Sequence, residues 1–88
     1  MPTTVNVTFT AGNGTLSAVL FRNGTEIDSG STNQSGNIFL ENTLRGDTIS
    51  INGSSAGGAI VSIDRITNPP TPDNFIPGPI MSGYDLLA

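Results

Sequence analysis

The chain has 88 residues, seven carboxylates against three arginines, no lysine, and neither cysteine nor histidine, for a net charge of −4. That length holds one domain with a thin core, because so short a chain buries only about 60–65% of the surface its unfolded form exposes. No disulfide can reinforce it, the thiolate and imidazole ligands of transition metals are missing, and three arginines far apart in sequence do not make the clustered basic surface that nucleic acid requires.

The apolar residues are numerous and periodic, which argues against disorder. Thr4–Thr10 alternates, with Val5, Val7 and Phe9 on one face and Asn and Thr on the other, as in an antiparallel strand with one face buried. Ala11-Gly12-Asn13-Gly14 reads as a turn. Thr15–Arg22 sets Leu16, Ala18 and Leu20 on one face but Val19 and Phe21 on the other, which suits a central strand. Asn23-Gly24 follows, and both residues accept the positive φ of a type I′ hairpin turn. Thr25–Ser31 is the returning strand, polar apart from Ile27, and reads as an edge. Glu26 and Asp28, two apart on it, are expected to share one solvated face that discourages aggregation.

Ser31 to Gly53 reads as turn, strand, turn, strand, turn. Asn33–Asn37 is a run of turn formers, Asn37–Glu41 a short strand, and Arg45-Gly46-Asp47 a second turn. Asp47–Asn52 alternates at a period of two. Gly53–Gly58 is a small-residue loop, and Ala59–Ile63 is a sixth strand that could continue to Ile66. No segment carries a 3.6-residue apolar period. Six or seven short strands with turn signals every 8–12 residues predict an all-β sandwich with Greek-key or meander connections.

At Thr67 the composition changes, and Thr67–Ala88 holds five of the six prolines. Prolines do not sit in central strands. As polyproline II, Asn68–Pro79 would reach on the order of 35–40 Å. The expected division is a sandwich domain over residues 1–66 and an extended, apolar, Pro-rich arm over 67–88. Such an arm either folds back over the sandwich or docks on another chain, and docking is the preferred reading. The residues expected to carry it are Phe75, Ile76, Ile80, Met81, Tyr84, Leu86 and Leu87.

Three further sets of residues resemble a known pattern. They are Thr32-Asn33-Gln34-Ser35-Gly36-Asn37-Ile38-Phe39-Leu40, then Leu44-Arg45-Gly46-Asp47-Thr48-Ile49-Ser50-Ile51 with Gly53, and upstream Leu16–Leu20 followed by Asn23-Gly24. Over about residues 14–63 the chain resembles the transthyretin-like, carboxypeptidase-regulatory-like β-sandwich modules. Asn33 stands where that pattern has an acid, and the glycine and proline expected before the second strand are missing. The resemblance implies a small antiparallel Ig-like or transthyretin-like sandwich of six to seven strands, serving as a spacer, stabiliser or binding domain without catalytic residues.

The residues themselves point away from catalysis. An activated nucleophile normally needs a neighbouring base, and the usual activators are missing. Glu26 and Asp28 could form a carboxylate pair for acid–base work, but a solvated edge strand explains them better. Asp28, Asp47 and Asp64 could supply oxygens to calcium, yet no calcium-loop pattern is present and no cofactor is expected. Arg45-Gly46-Asp47 spells a tripeptide that engages integrins, although turn chemistry accounts for it. Phe9, Phe21 and Phe39 fall at expected core positions, which weakens a glycan-stacking reading.

Met1 leads directly into a strand with no leader-like segment, and no apolar run approaches the roughly 18 residues of a membrane span. The expectation is therefore a non-enzymatic assembly protein, a homo-oligomer or part of a capsid-like assembly. The setting expected for it is a small virion component, such as an auxiliary or decorating capsid protein of a phage, made in the host cytoplasm. No membrane, nucleic acid or small-molecule substrate is expected. The alternative is a binding or spacer module of a secreted bacterial surface protein, extracellular, presenting Ala11–Gly14 and Gly53–Gly58 to a glycan or protein.

Overall fold

Alternation decides which face each strand buries. In β1 (Thr3–Ala11) the side chains of Val5, Val7, Phe9 and Ala11 turn inward, and in β2 (Gly14–Arg22) those of Leu16, Ala18 and Leu20 do. The remaining strands are β3 (Thr25–Asn33), β4 (Gly36–Thr43), β5 (Thr48–Ser55), β6 (Ala59–Ile63), β7 (Thr67–Asn68), β8 (Asp73–Phe75) and β9 (Gly78–Leu86). The computed structural model describes residues 3–88, and among the described residues there is no helix.

The strands form two antiparallel sheets, one in the order β4-β1-β6-β8 and the other β3-β2-β5-β9-β7. Their inner faces meet in one apolar core that includes Phe9, Leu16, Leu40, Ile51, Ile80 and Tyr84. The hairpin at Asn23-Gly24 forms as its chemistry demands, with φ of +52° and +77°. β2 is central between β3 and β5, and β3 is an edge of its sheet.

Where β3 leads into β4, the chain passes from one sheet to the other and closes that side of the sandwich. Gly30 is small for a reason: a Cβ there would lie 2.8 Å from Cγ2 of buried Ile38. Asp28 adds a polar clasp by accepting the Glu41 N–H at 2.8 Å.

A bulge explains how Asp28 comes to face β4. Leu20 pairs with Asp28 and Phe21 with Glu26, so Ile27 is the extra residue. Glu26 and Asp28 therefore lie on opposite faces of the strand, not on the shared face that their spacing predicts.

Two other expectations are corrected. Phe39 is 58% exposed. The pairing of Val5 with Leu40 and Val7 with Ile38 sends Phe39, opposite Asn6, to the outer face. Phe21 is half-buried on the outer face of its own sheet. Of the aromatics expected in the core, only Phe9 is fully inside.

The larger correction concerns residues 67–88, which do not form an extended arm. β9 pairs with β5 from Thr48↔Asp85 to Ser55↔Gly78, and Ile80, Tyr84 and Leu86 are buried in the core. The prolines concentrate in the crossing between β7 and β8, where no N–H is needed for a ladder. Thr71 holds that crossing to β6, accepting the Ile63 N–H at 3.0 Å and donating to the Ile63 carbonyl at 3.2 Å. β5, moreover, runs on to Ser55, beyond the loop start expected at Gly53.

Two outcomes test this arrangement. In urea denaturation, Phe9→Ala is expected to cost about 3–5 kcal/mol, while Phe39→Ala stays within about 0.5 kcal/mol of the parent. A chain ending at Ile66 lacks β9 and is expected to show no cooperative unfolding transition. A folded 1–66 chain would restore the division at Thr67.

Candidate interaction surface

The residues expected to dock divide by the parity of β9. Ile80, Tyr84 and Leu86 face the core and cannot reach a partner, whereas Met81 is 79% exposed on the outer face. Before β9, Ile76 is 83% exposed, and Phe75 is half-buried, packed against the core. After it, Leu87 is exposed and donates its N–H to the Ile66 carbonyl at 2.9 Å, which sets it beside exposed Ile66. Ile66 was not singled out by its pattern, because as a possible strand end its exposure was not readable.

β9 is also an incomplete member of its sheet. On one side it pairs with β5 along its length, but on the other β7 meets it only at Asp85 and Leu86. Continuing β7 would set Pro70 opposite Gly83, and proline has no N–H to donate. The β9 edge from Gly78 to Tyr84 therefore has no ladder partner among the described residues.

Tyr84 ties this part of β9 to the other sheet. Its buried phenol donates to Asp73 Oδ2 on β8 at 2.7 Å. Burial pushes its pKa up to about 12, and the hydrogen bond to the Asp73 carboxylate adds to that rise.

The other candidate residues have structural duties. Asp47 is buried and held in a two-pronged pair, with Arg22 Nε and Nη2 each donating at 2.8 Å. Leu44 N–H adds a third bond at 2.9 Å, and Arg22 Nη2 also reaches the Asn42 carbonyl at 2.7 Å. The Arg22 hydrogen bond holds the Asp47 carboxyl below the usual range, against the opposing effect of burial. Arg45-Gly46-Asp47 thus presents no free aspartate. Asp28 serves Glu41, and Asp64 accepts the Asn6 N–H at 2.9 Å and lies 3.3 Å from Arg65. These carboxylates are spent separately, and no group of three or more metal-ligating side chains occurs among the described residues.

At the end of the sandwich opposite the Asn23-Gly24 turn, loops converge on two open clefts. One, of about 630 Å³, has an apolar floor that includes Ala11, Ala59, Ile60 and Phe75. The other, of about 510 Å³, is lined by polar groups including Asn13, Asn33, Gln34 and Ser55. Ala56 N–H to the Asn13 carbonyl, at 2.8 Å, holds the β1–β2 and β5–β6 loops together there. Ser55 Oγ is buried beside this cleft and has no hydrogen-bond partner among the described residues.

Comparison with protein-family models, with curated proteins and with solved structures returned no match.

Tyr84 is the single tyrosine, and the chain has no tryptophan, so its ionisation can be read directly by ultraviolet absorbance. One transition is expected near pH 12, about two units above an exposed phenol. Because the folded pKa is the higher, the stability Tyr84 contributes is full below about pH 10 and is lost as pH rises toward the folded value. A transition near the ordinary value would contradict the buried phenol.

Proposed function

We propose that this chain is a non-enzymatic structural module that works by binding other protein chains through its β9 side. One observation carries the reading. Exposed apolar side chains run along that side from end to end, with Ile76 before β9, Met81 midway along it, and Ile66 beside Leu87 at its close. They flank a strand edge that has no ladder partner among the described residues. Apolar side chains spaced along an open strand edge are placed where an added strand would cover them.

The site in this reading is Ile66, Ile76, Met81 and Leu87, a revision of the set expected from sequence. The setting we propose is a larger protein assembly, with a small virion component such as a phage capsid-decorating protein as the particular case. The resemblance to transthyretin-like modules supports a non-catalytic role of this kind.

A second reading is favoured by the polar cleft. The unpartnered Ser55 hydroxyl lies beside Asn13, Asn33 and Gln34, amides and hydroxyls of the kind that hydrogen-bond sugar hydroxyls. There the module would present its loop end to a glycan.

The test joins Ile66→Ser, Ile76→Ser, Met81→Ser and Leu87→Ser in one variant and follows association by light scattering and by retention of protein partners on the immobilised chain. All four sites are exposed, so the Tyr84 transition is expected to persist while association is lost. A wild-type chain that stays monomeric and retains no protein would overturn the reading. Oligosaccharide binding abolished by Asn13→Ala with Gln34→Ala would establish the second one.

A further inference from the structure

Resting on that reading of the β9 side, we infer that the partner seated on the open edge is a second copy of this chain, paired antiparallel about a two-fold axis through Met81. The direction of each backbone group follows from bonds at the end of the strand. Leu86 donates its N–H to the Asp47 carbonyl and accepts the Gly46 N–H, both on the β5 side. Leu87 donates instead to Ile66, on the side of β7. Backbone groups alternate between the two sides of a strand. Ile80, Ser82 and Tyr84 therefore turn theirs toward β5, while Pro79, Met81 and Gly83 turn theirs to the open edge.

The open window is its own complement. It is bounded at one end by β7, which takes up Asp85 and Leu86, and at the other by Gly78, where β9 begins with φ of +124°. Met81 lies at its centre. Antiparallel pairing about Met81 sets Met81 against its symmetry mate and Gly83 against Pro79 of the other copy. Each Met81 then exchanges both of its backbone bonds. Each Gly83 N–H meets a Pro79 carbonyl, and the two bonds lost, one in each Gly83–Pro79 pair, are those that proline cannot donate. Shifting the axis toward Gly83 would drive the partner strand into β7.

Charge and shape agree. From Gly78 to Tyr84 no residue is charged, although the chain as a whole carries −4. Two copies therefore meet at this edge without opposing like charges. Of the devices by which strand edges are kept apart, the window lacks lysines, inward charges and bulges; its one proline, Pro79, sits at its end and removes a single donor from each copy. The second sheet ends at β8, a strand of three residues facing β9, so it extends no cover past this edge. Directly paired residues share a face of the sheet, so the two Met81 side chains, each 79% exposed in the single chain, would cover one another.

The experiment measures molar mass over a range of concentrations for the wild-type chain, Met81→Lys, Met81→Glu and an equal mixture of the two. The wild type is expected to form a dimer. Each variant places like charges directly opposite and is expected to weaken self-association roughly tenfold or more. The mixture is expected to recover the dimer, which a merely structural role for Met81 would not produce. The Tyr84 transition reports that each variant is folded. A wild type that remains monomeric overturns the inference, as does a dimer indifferent to both variants. Where Ile66→Ser with Leu87→Ser dissolves an indifferent dimer, or where the monomer retains another protein, binding through the β9 side stands and only the self-pairing fails.

Discussion

The structure depends on one insertion: β9 completes the five-stranded sheet between β5 and β7 and delivers Ile80, Tyr84 and Leu86 to the core. In a chain of 88 residues without cysteine, the apolar area available for burial is small, and no disulfide compensates for its loss. A fully buried aromatic side chain is among the largest single contributions such a core can contain. Tyr84 makes that contribution and also places its hydroxyl on Asp73 of the other sheet. The C-terminal quarter of the chain is thus core first, and any binding role it has must use the residues of opposite parity.

The two sides of the sandwich are built differently. On the β3–β4 side, Gly30 lets Ile38 approach, and Asp28 reaches across to the Glu41 N–H, so the two sheet edges lie against each other. A half-buried carboxylate on an inner face also makes that edge a poor template for another strand. At the neighbouring end, Arg22 and Asp47 lock the β4–β5 turn onto β2 through paired hydrogen bonds. Arg22 is partly exposed, so the pair is weak evidence for stability; its hydrogen bonds position the turn. The β9 side has no such closure. Its crossing segment is pinned by Thr71 at β6 and leaves the outer line of β9 bare.

Local chemistry was legible in the sequence where it acts alone. Asn23-Gly24 demanded a tight hairpin, and the alternation in β1 and β2 assigned their inner faces correctly. What failed were features set by pairing. Phe39 has the same neighbours in sequence whichever way it points, and only the register with β1 sends it outward. Glu26 and Asp28 would share a face in a regular strand, and a single bulged residue separates them. The five prolines of residues 67–88 argue against central strands in that segment. Yet Pro79 sits in β9 where its missing N–H points away from β5, so it breaks no ladder bond. The period-two signal of Ile80, Ser82, Tyr84 and Leu86 was present but was masked by composition.

That last point joins fold to function. A proline in a strand paired on both sides would leave a neighbouring carbonyl unsatisfied, so Pro79 in β9 and Pro70 after β7 belong together: each suits an edge that no strand among the described residues covers. Such an edge is a hazard when it is long, flat and apolar, because it recruits partners without limit. Here it is limited by its own ends, β7 at one and the turn at Gly78 at the other. A short window of this kind admits one strand of matching length and excludes propagation in register beyond it. In the proposed contact the β9 edge would offer a defined length, no charge to repel a partner, and a backing through the Tyr84–Asp73 hydrogen bond that holds the strand in place.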